Sequence, residues 1–276
     1  MVMKKINICI AGNFNLAIEC SSFLLKKFKN IQLYAIFNSN DYGKDDFQKS
    51  FKKFCKNKKN IKSIDIKEAY DIEGLIFISL HFDKILKTQN FKSDKLYNIH
   101  FSLLPKYKGM HTTAWPIIFG EKETGVTLHK IDNGIDTGDI ISQIKFKILP
   151  SDNAEKVFLN YIKNGINLFK KNFLDLLNNH FKYTKQNINN STYFSKSSIN
   201  FKNINIDLNK TAFEIHNQLR AFIFKHYQLP LVKRKKILSS KILKSKSELM
   251  PGKIIAQSDK YLKISTIDYN LLLKIK

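Results

Sequence analysis

The chain has 276 residues, 43% of them apolar, which suits one large domain or a main domain with an appendage and needs no disulfide or metal staple to hold its core. No window approaches the roughly 18 unbroken apolar residues of a membrane span, and Cys9, Cys20 and Cys55 make neither a CxxC pair nor an even set, so they read as reduced thiols and exclude a disulfide frame. The formal charge of +24 invites a polyanion, yet of 47 basic residues only Arg220 and Arg234 are arginine; the lysines are scattered, as on a solvated surface, and an anionic small molecule fits as well as RNA.

The opening, MVMKKINICIAG, has no small-residue cleavage site and is read as a buried strand over 4–12, not a signal peptide. A helix over 16–28, a strand over 31–38, an amphipathic helix over 45–59 and strands over 74–80 and 95–102 follow. Strands alternating with helices predict an α/β fold built on a Rossmann-like, mainly parallel, doubly wound sheet, with ligands beyond the carboxyl ends of the strands. GNFNLA, after the first strand, lacks the full GxGxxG of a dinucleotide site, although its backbone N–H groups suit an anion. Two more strands, 124–132 and 139–148, flank the segment NGIDTG. Asp152 and Glu155 are then expected to cap a helix to about residue 178. On it Phe158, Ile162, Ile166, Phe169, Phe173 and Leu177 form a core stripe.

The polar stretch 178–198 suggests a boundary, giving an N-terminal catalytic domain over 1–185 and a smaller C-terminal subdomain over 186–276. The latter is expected to hold a helix capped by Thr211 and Glu214, with His216 and Arg220 one turn apart, and four short strands (KKILSSKIL, GKIIAQSD, YLKIST, NLLLKI).

Chemistry concentrates in two places. In YNIHFS, alternate side chains share a face, so Asn98, His100 and Ser102 project together from a strand end, and Leu103, Leu104 and Pro105 stiffen the exit. DNGIDTGD, residues 132–139, carries three carboxylates with glycines at 134 and 138 that permit close backbone approach. It lacks the order of an EF-hand. Asp136 beside His100 would orient the imidazole and favour its imidazolium form.

NIHFSLLPKYKG followed by TGVTLHKIDNGIDTGD resembles the signature of enzymes that transfer a formyl group from N10-formyltetrahydrofolate to an amine. The interval from Asn98 to Asp136 is the family's own, and the resemblance covers most of residues 5–180. It implies Asn98, His100 and Asp136 as the catalytic trio, and a pterin slot lined by the backbone near Lys84 and Leu86 and by Asp132, Asn133 and Ile135. It also implies the formyl folate as co-substrate, with no metal.

Three relatives compete for the acceptor. Glycinamide ribonucleotide formyltransferases resemble PKYKGMHT but end near the long helix. Methionyl-tRNA formyltransferases have a β domain like LMPGKIIAQSDKYLKIST, yet run G-A-A-P-I-Q where this chain has GMHTTAWPI. Formyltransferases acting on nucleotide-linked amino sugars are similar at YNIHFSLLP, HTTAWPII, GVTLH and IDLNKTAFEIHNQLRAFIF. That likeness implies a dTDP-linked dideoxy-amino sugar bound for surface polysaccharide (O-antigen or lipopolysaccharide), with Trp115 and His129 near the sugar and Arg220 at the pyrophosphate. It also implies a cytoplasmic enzyme with no membrane partner. The exposed strand edges of the C-terminal part are expected to pair in a homodimer. The rival from another class is a basic RNA-binding protein that kept the fold without the chemistry.

Overall fold

In the computed structural model, which describes residues 5–276, β1 (Ile6–Gly12) is followed by α1 (Phe14–Lys27), β2 (Ile31–Phe37), α2 (Phe51–Lys56), β3 (Ile61–Ser63), α3 (Ile66–Tyr70), β4 (Ile76–Leu80) and β5 (Leu96–His100). The five strands run parallel in the order β3-β2-β1-β4-β5. Strands covered on both faces need apolar residues at successive positions; hence IFISL in β4 is buried at every one. After β6 (Lys108–Gly109) and α4 (Trp115–Ile118), β7 (Glu123–Lys130) joins β5 antiparallel, and β8 (Ile140–Lys147) completes the seven-stranded sheet.

The long helix α5 (Ala154–Asn178) comes next, then β9 (Tyr193–Phe194), which pairs with β6, and α6 (Ala212–Phe222). A second sheet of β10 (Leu231–Val232), β11 (Lys235–Lys246), β12 (Ile254–Gln257), β13 (Tyr261–Ile264) and β14 (Tyr269–Ile275) is antiparallel, in the order β10-β11-β14-β13-β12. The fold is thus the mainly parallel α/β sheet with a C-terminal helix-plus-β part that the strand and helix alternation implies.

Contacts gather the chain into two units that interleave along the sequence. The first comprises Met1–Lys108, Gly125–Lys145 and Tyr161–Tyr193; the second comprises Gly109–Thr124, Phe146–Asn160 and Phe194–Lys276. In the first, Phe169 and Phe173 meet Phe23 and Phe28 edge to face, a geometry aromatic rings prefer. In the second, Ala212, Ile215, Leu219 and Phe222 of α6 cluster with Ile237, Leu262, Ile264, Leu271 and Leu273.

Local departures from expectation have side-chain causes. The helix expected over 45–59 begins only at Phe51, because the preceding acids and Ser50 bond the backbone instead. Asp45 accepts from Ser50 N at 3.0 Å, Asp41 from Lys52 N at 2.9 Å, and Ser50 Oγ caps Lys53 N at 2.9 Å. The unforeseen α3 carries a capping box from Asp65 and Glu68. For α5, Asn153 caps Lys156 N at 2.9 Å, while Asp152 turns back to accept from Leu149 N at 2.8 Å. The Thr211–Glu214 box of α6 is present as expected.

Among the described residues no helix is long and apolar enough to cross a membrane. Cys9, Cys20 and Cys55 are free and buried. Burial pushes the thiols of Cys9 and Cys20 well up and that of Cys55 to about 12. The native protein should therefore react negligibly with an aromatic disulfide reagent at mildly alkaline pH and release three equivalents only when unfolded in guanidinium; rapid native labelling would show that the burial is wrong.

Candidate active site

β5 ends among the loops at the carboxyl edge of the sheet, and its alternation puts Asn98 and His100 on one face. The antiparallel neighbour β7 sets His129 directly across from Asn98 and Thr127 across from His100. A third segment, the loop between β7 and β8, brings in Asp136. Its Oδ2 lies 3.4 Å from His100 Nδ1, and its Oδ1 lies 3.2 Å from Asn98 Nδ2 and 3.6 Å from His129 Nε2. The structure therefore assembles Asn98, His100 and Asp136 in one cluster, and adds His129 to it.

The hydrogen-bond directions can be worked out. His129 Nδ1 sits 2.6 Å from the Lys130 carbonyl, which can only accept, so that nitrogen carries the proton. In the neutral ring Nε2 is then an acceptor, and it takes a bond from Asn98 Nδ2 at 3.0 Å. The other Nδ2 hydrogen goes to Asp136. The opposite amide orientation would set a carbonyl oxygen against that carboxylate, so electrostatics fix the amide. His100 Nε2 lies 2.8 Å from the Tyr107 carbonyl. Both of its ring nitrogens thus face acceptors, an arrangement that the imidazolium satisfies at both.

The loop after β5 curls to supply that carbonyl. Ser102, expected beside Asn98 and His100, instead donates to the Lys106 carbonyl at 2.7 Å and is wholly buried. Thr127 Oγ1 donates to the Ser102 carbonyl at 2.7 Å and accepts from Leu104 N at 3.1 Å. The Leu104–Pro105 peptide is cis, and Tyr107 adopts φ 60°.

The 132–138 loop is closed from within. Asp132 Oδ1 accepts from Gly134 N at 3.1 Å and from Thr137 Oγ1 at 2.6 Å. Gly138 passes so close to β7 that a Cβ there would lie 1.9 Å from the Lys130 carbonyl oxygen, so no larger residue fits. Of the residues expected to line a pterin slot, Lys84 is exposed and Leu86 buried, and Ile135 is 38% exposed. Thr88, just beyond Leu86, donates to Asn133 Oδ1 at 2.5 Å, which ties their segment to the Asp132–Asn133–Ile135 loop.

Two residues expected at the acceptor lie in the second unit. Trp115 stacks between Phe119 and Phe194, with ring centroids at 5.7 and 4.2 Å, and its indole N–H is buried without a partner. Arg220 is 6% exposed. Its Nε donates to Asn217 at 2.9 Å and its Nη1 to the carbonyls of Leu149 and Asp152 at 3.2 and 2.9 Å. That is a cation tying α6 to the segment before α5. The sequence reading named His129 but not its bond with Asn98, and it missed Gln186, whose Nε2 donates to the carbonyls of Asp136 and Gly138. Among the described residues no group of three or more His, Cys, Asp or Glu could hold a metal ion.

The chain is similar to known proteins over most of its length. The family model described as "Formyl transferase" matches residues 65–169, and that described as "Formyl transferase, C-terminal domain" matches 199–275. The structure of an N-formyltransferase from Helicobacter canadensis, in complex with folinic acid and dTDP-3-aminofucose, is 45% identical at a TM-score of 0.90, covering 98% of this chain and 100% of that one. WlaRD, a sugar 3N-formyl transferase solved with dTDP and 5-N-formyl-THF, is 46% identical at a TM-score of 0.90, covering 98% and 97%. The methionyl-tRNA formyltransferase of Clostridium beijerinckii is 35% identical over 217 residues, 76% of this chain and 68% of the relative. The first three curated relatives are matched over only 25%, 65% and 52% of their own lengths.

Because Arg220 satisfies buried carbonyls, Arg220→Ala should lower stability by about 2–4 kcal/mol, with Arg220→Lys intermediate. Thermal unfolding checks this, and an unchanged midpoint for the alanine variant would contradict the assignment.

Proposed function

Because this chain belongs to the formyl transferase family, we propose that it carries the formyl group of N10-formyltetrahydrofolate to the amine of a dTDP-linked 3-amino dideoxy sugar. The observation that carries the reading is the convergence of Asn98, His100 and Asp136 on one point at the carboxyl edge of the sheet.

The chemistry needs these groups. An amine that attacks the formyl carbon drives negative charge onto the formyl oxygen, and preorganised N–H donors lower that barrier. Two donors of the cluster are held loosely. Asn98 Nδ2 reaches Asp136 at 3.2 Å and His100 Nδ1 at 3.4 Å, both longer than the roughly 2.7–2.9 Å of a charge-assisted bond. Each can turn to an oxygen that arrives between them. The attacking nitrogen must lose a proton and N10 of the leaving folate must gain one; the Asp136 carboxylate accepts the first and His100 delivers the second, directly or through a water. The 132–138 loop and the segment from Lys84 to Thr88, joined by Thr88 and Asn133, supply the pterin slot with Asp132, Asn133, Ile135 and Leu86.

On the acceptor side, one of the two similar structures above is a sugar 3N-formyl transferase solved with dTDP, and the other is an N-formyltransferase solved with dTDP-3-aminofucose. Trp115, with its unanswered indole N–H, is our candidate for a contact to that ligand. The product would serve surface polysaccharide synthesis in the cytoplasm, and a homodimer through the C-terminal part completes the proposal.

Incubating the protein with formyl folate and a panel of dTDP- and UDP-linked amino sugars, followed by mass spectrometry, should show a gain of one carbonyl unit on a dTDP-3-amino sugar. Formylation of methionyl-tRNA with no sugar modified would contradict the acceptor. Asn98→Ala should lower kcat by about a hundred- to a thousand-fold, and His100→Asn should abolish turnover while the far-ultraviolet circular dichroism is unchanged. Full activity in the histidine variant removes its assigned role.

A further inference from the structure

The loop that carries Asp136 is gripped from outside by one side chain with no part in the chemistry above. Gln186 Nε2 donates to the carbonyl of Asp136 at 2.9 Å and to that of Gly138 at 2.7 Å, which uses both of its hydrogens. Two carbonyls two residues apart converge on a single nitrogen only where the chain curls around it. The curl begins at Asp136, which sits at φ 55°, a left-handed conformation that is unfavourable for a residue with a Cβ and persists only where its surroundings impose it.

Gln186 is itself anchored. Two residues before it, Thr184 exchanges backbone bonds with Ile140, the first residue of β8, at 2.8 and 2.9 Å. The segment therefore runs beside the exit of the very loop that it holds. The amide oxygen of Gln186 is buried without a partner. An unpaired buried acceptor is unfavourable, so the two bonds from Nε2 are what this side chain contributes.

We propose that Gln186 is a positioning residue: it imposes the left-handed backbone at Asp136 and so sets the distances of that carboxylate from Asn98, His100 and His129. The activity part of this proposal rests on the formyl-transfer reading; the structural part does not.

Gln186→Glu keeps the shape and removes both donors, whereas Gln186→Lys restores donors from an ammonium. The first should lower kcat by about ten- to a hundred-fold, as expected for a misplaced catalytic group, with little change in KM for the amino sugar and a melting midpoint that falls but stays above the assay temperature. The lysine variant should recover a large part of the loss. Wild-type kcat in the glutamate variant, equal impairment of both variants, or a kcat loss matched by unfolding at the assay temperature would each overturn the proposal. If the buried carboxylate prevents folding, Gln186→Met is measured in its place. A crystal structure of the donor-free variant should show Asp136 out of its left-handed conformation; an unmoved carboxylate overturns the proposal. Failure of the wild-type protein to formylate any amine would sink the formyl-transfer reading instead, and that structure still decides the role of Gln186.

Discussion

A carboxylate drawn away from water needs hydrogen-bond partners, and the Asp136 side chain, 13% exposed, finds them on β5. That strand gives it the Asn98 amide and the His100 imidazole, at 3.2 and 3.4 Å, while His129 of β7 lies 3.6 Å away and holds the amide by accepting its other hydrogen. None of these contacts is short. Around the one carboxylate lie N–H groups that are aimed but not fully spent, and this unspent capacity is what an acyl-transfer site requires for charge that appears only in the transition state.

The fold delivers that arrangement through register. Parallel pairing of β4 with β5 fixes where β5 ends, and antiparallel pairing of β5 with β7 sets His129 opposite Asn98. The 132–138 loop then has to return Asp136 toward β5. Gly138 lets it pass the Lys130 carbonyl, and Asp132 ties it to Thr137. The curl behind His100 works in the same way: Ser102, Thr127 and Leu104 exchange bonds so that the Tyr107 carbonyl comes to face the ring. Polar residues that look catalytic in a linear reading thus divide into those that gather at Asp136 and those that shape the backbone behind them.

The order and type of the elements were legible because they follow from local patterns: buried apolar runs for β1 and β4, an apolar stripe for α5, a capping box for α6. Alternation along one strand made Asn98 and His100 legible as neighbours and the acidic glycine loop stood out beside them, but the choice of the trio rested on the resemblance to a known family. What stayed hidden depends on pairing across the chain. The bond of His129 with Asn98 was not foreseen, because the antiparallel approach of β7 to β5 cannot be seen in GVTLH alone. Gln186, one amide in a polar stretch, acts on a loop 50 residues earlier and leaves no pattern. Arg220 stood out as an arginine in a lysine-rich chain, but the residue type does not distinguish a phosphate ligand from a cation buried on carbonyls. Helix α2 began late because Asp41, Asp45 and Ser50 offered the backbone alternative partners, a competition that helical periodicity does not register.

The most direct test of the central claim reads the formyl carbonyl itself. Isotope-edited infrared difference spectroscopy of N10-formyltetrahydrofolate bound to the protein, without an acceptor, reports how strongly donors polarise that bond. A carbonyl stretch shifted to lower frequency than in water, and returning toward the aqueous position in Asn98→Ala, is the result expected if the loosely held N–H groups around Asp136 turn to the formyl oxygen. A stretch at or above its aqueous frequency in the unaltered protein would contradict it.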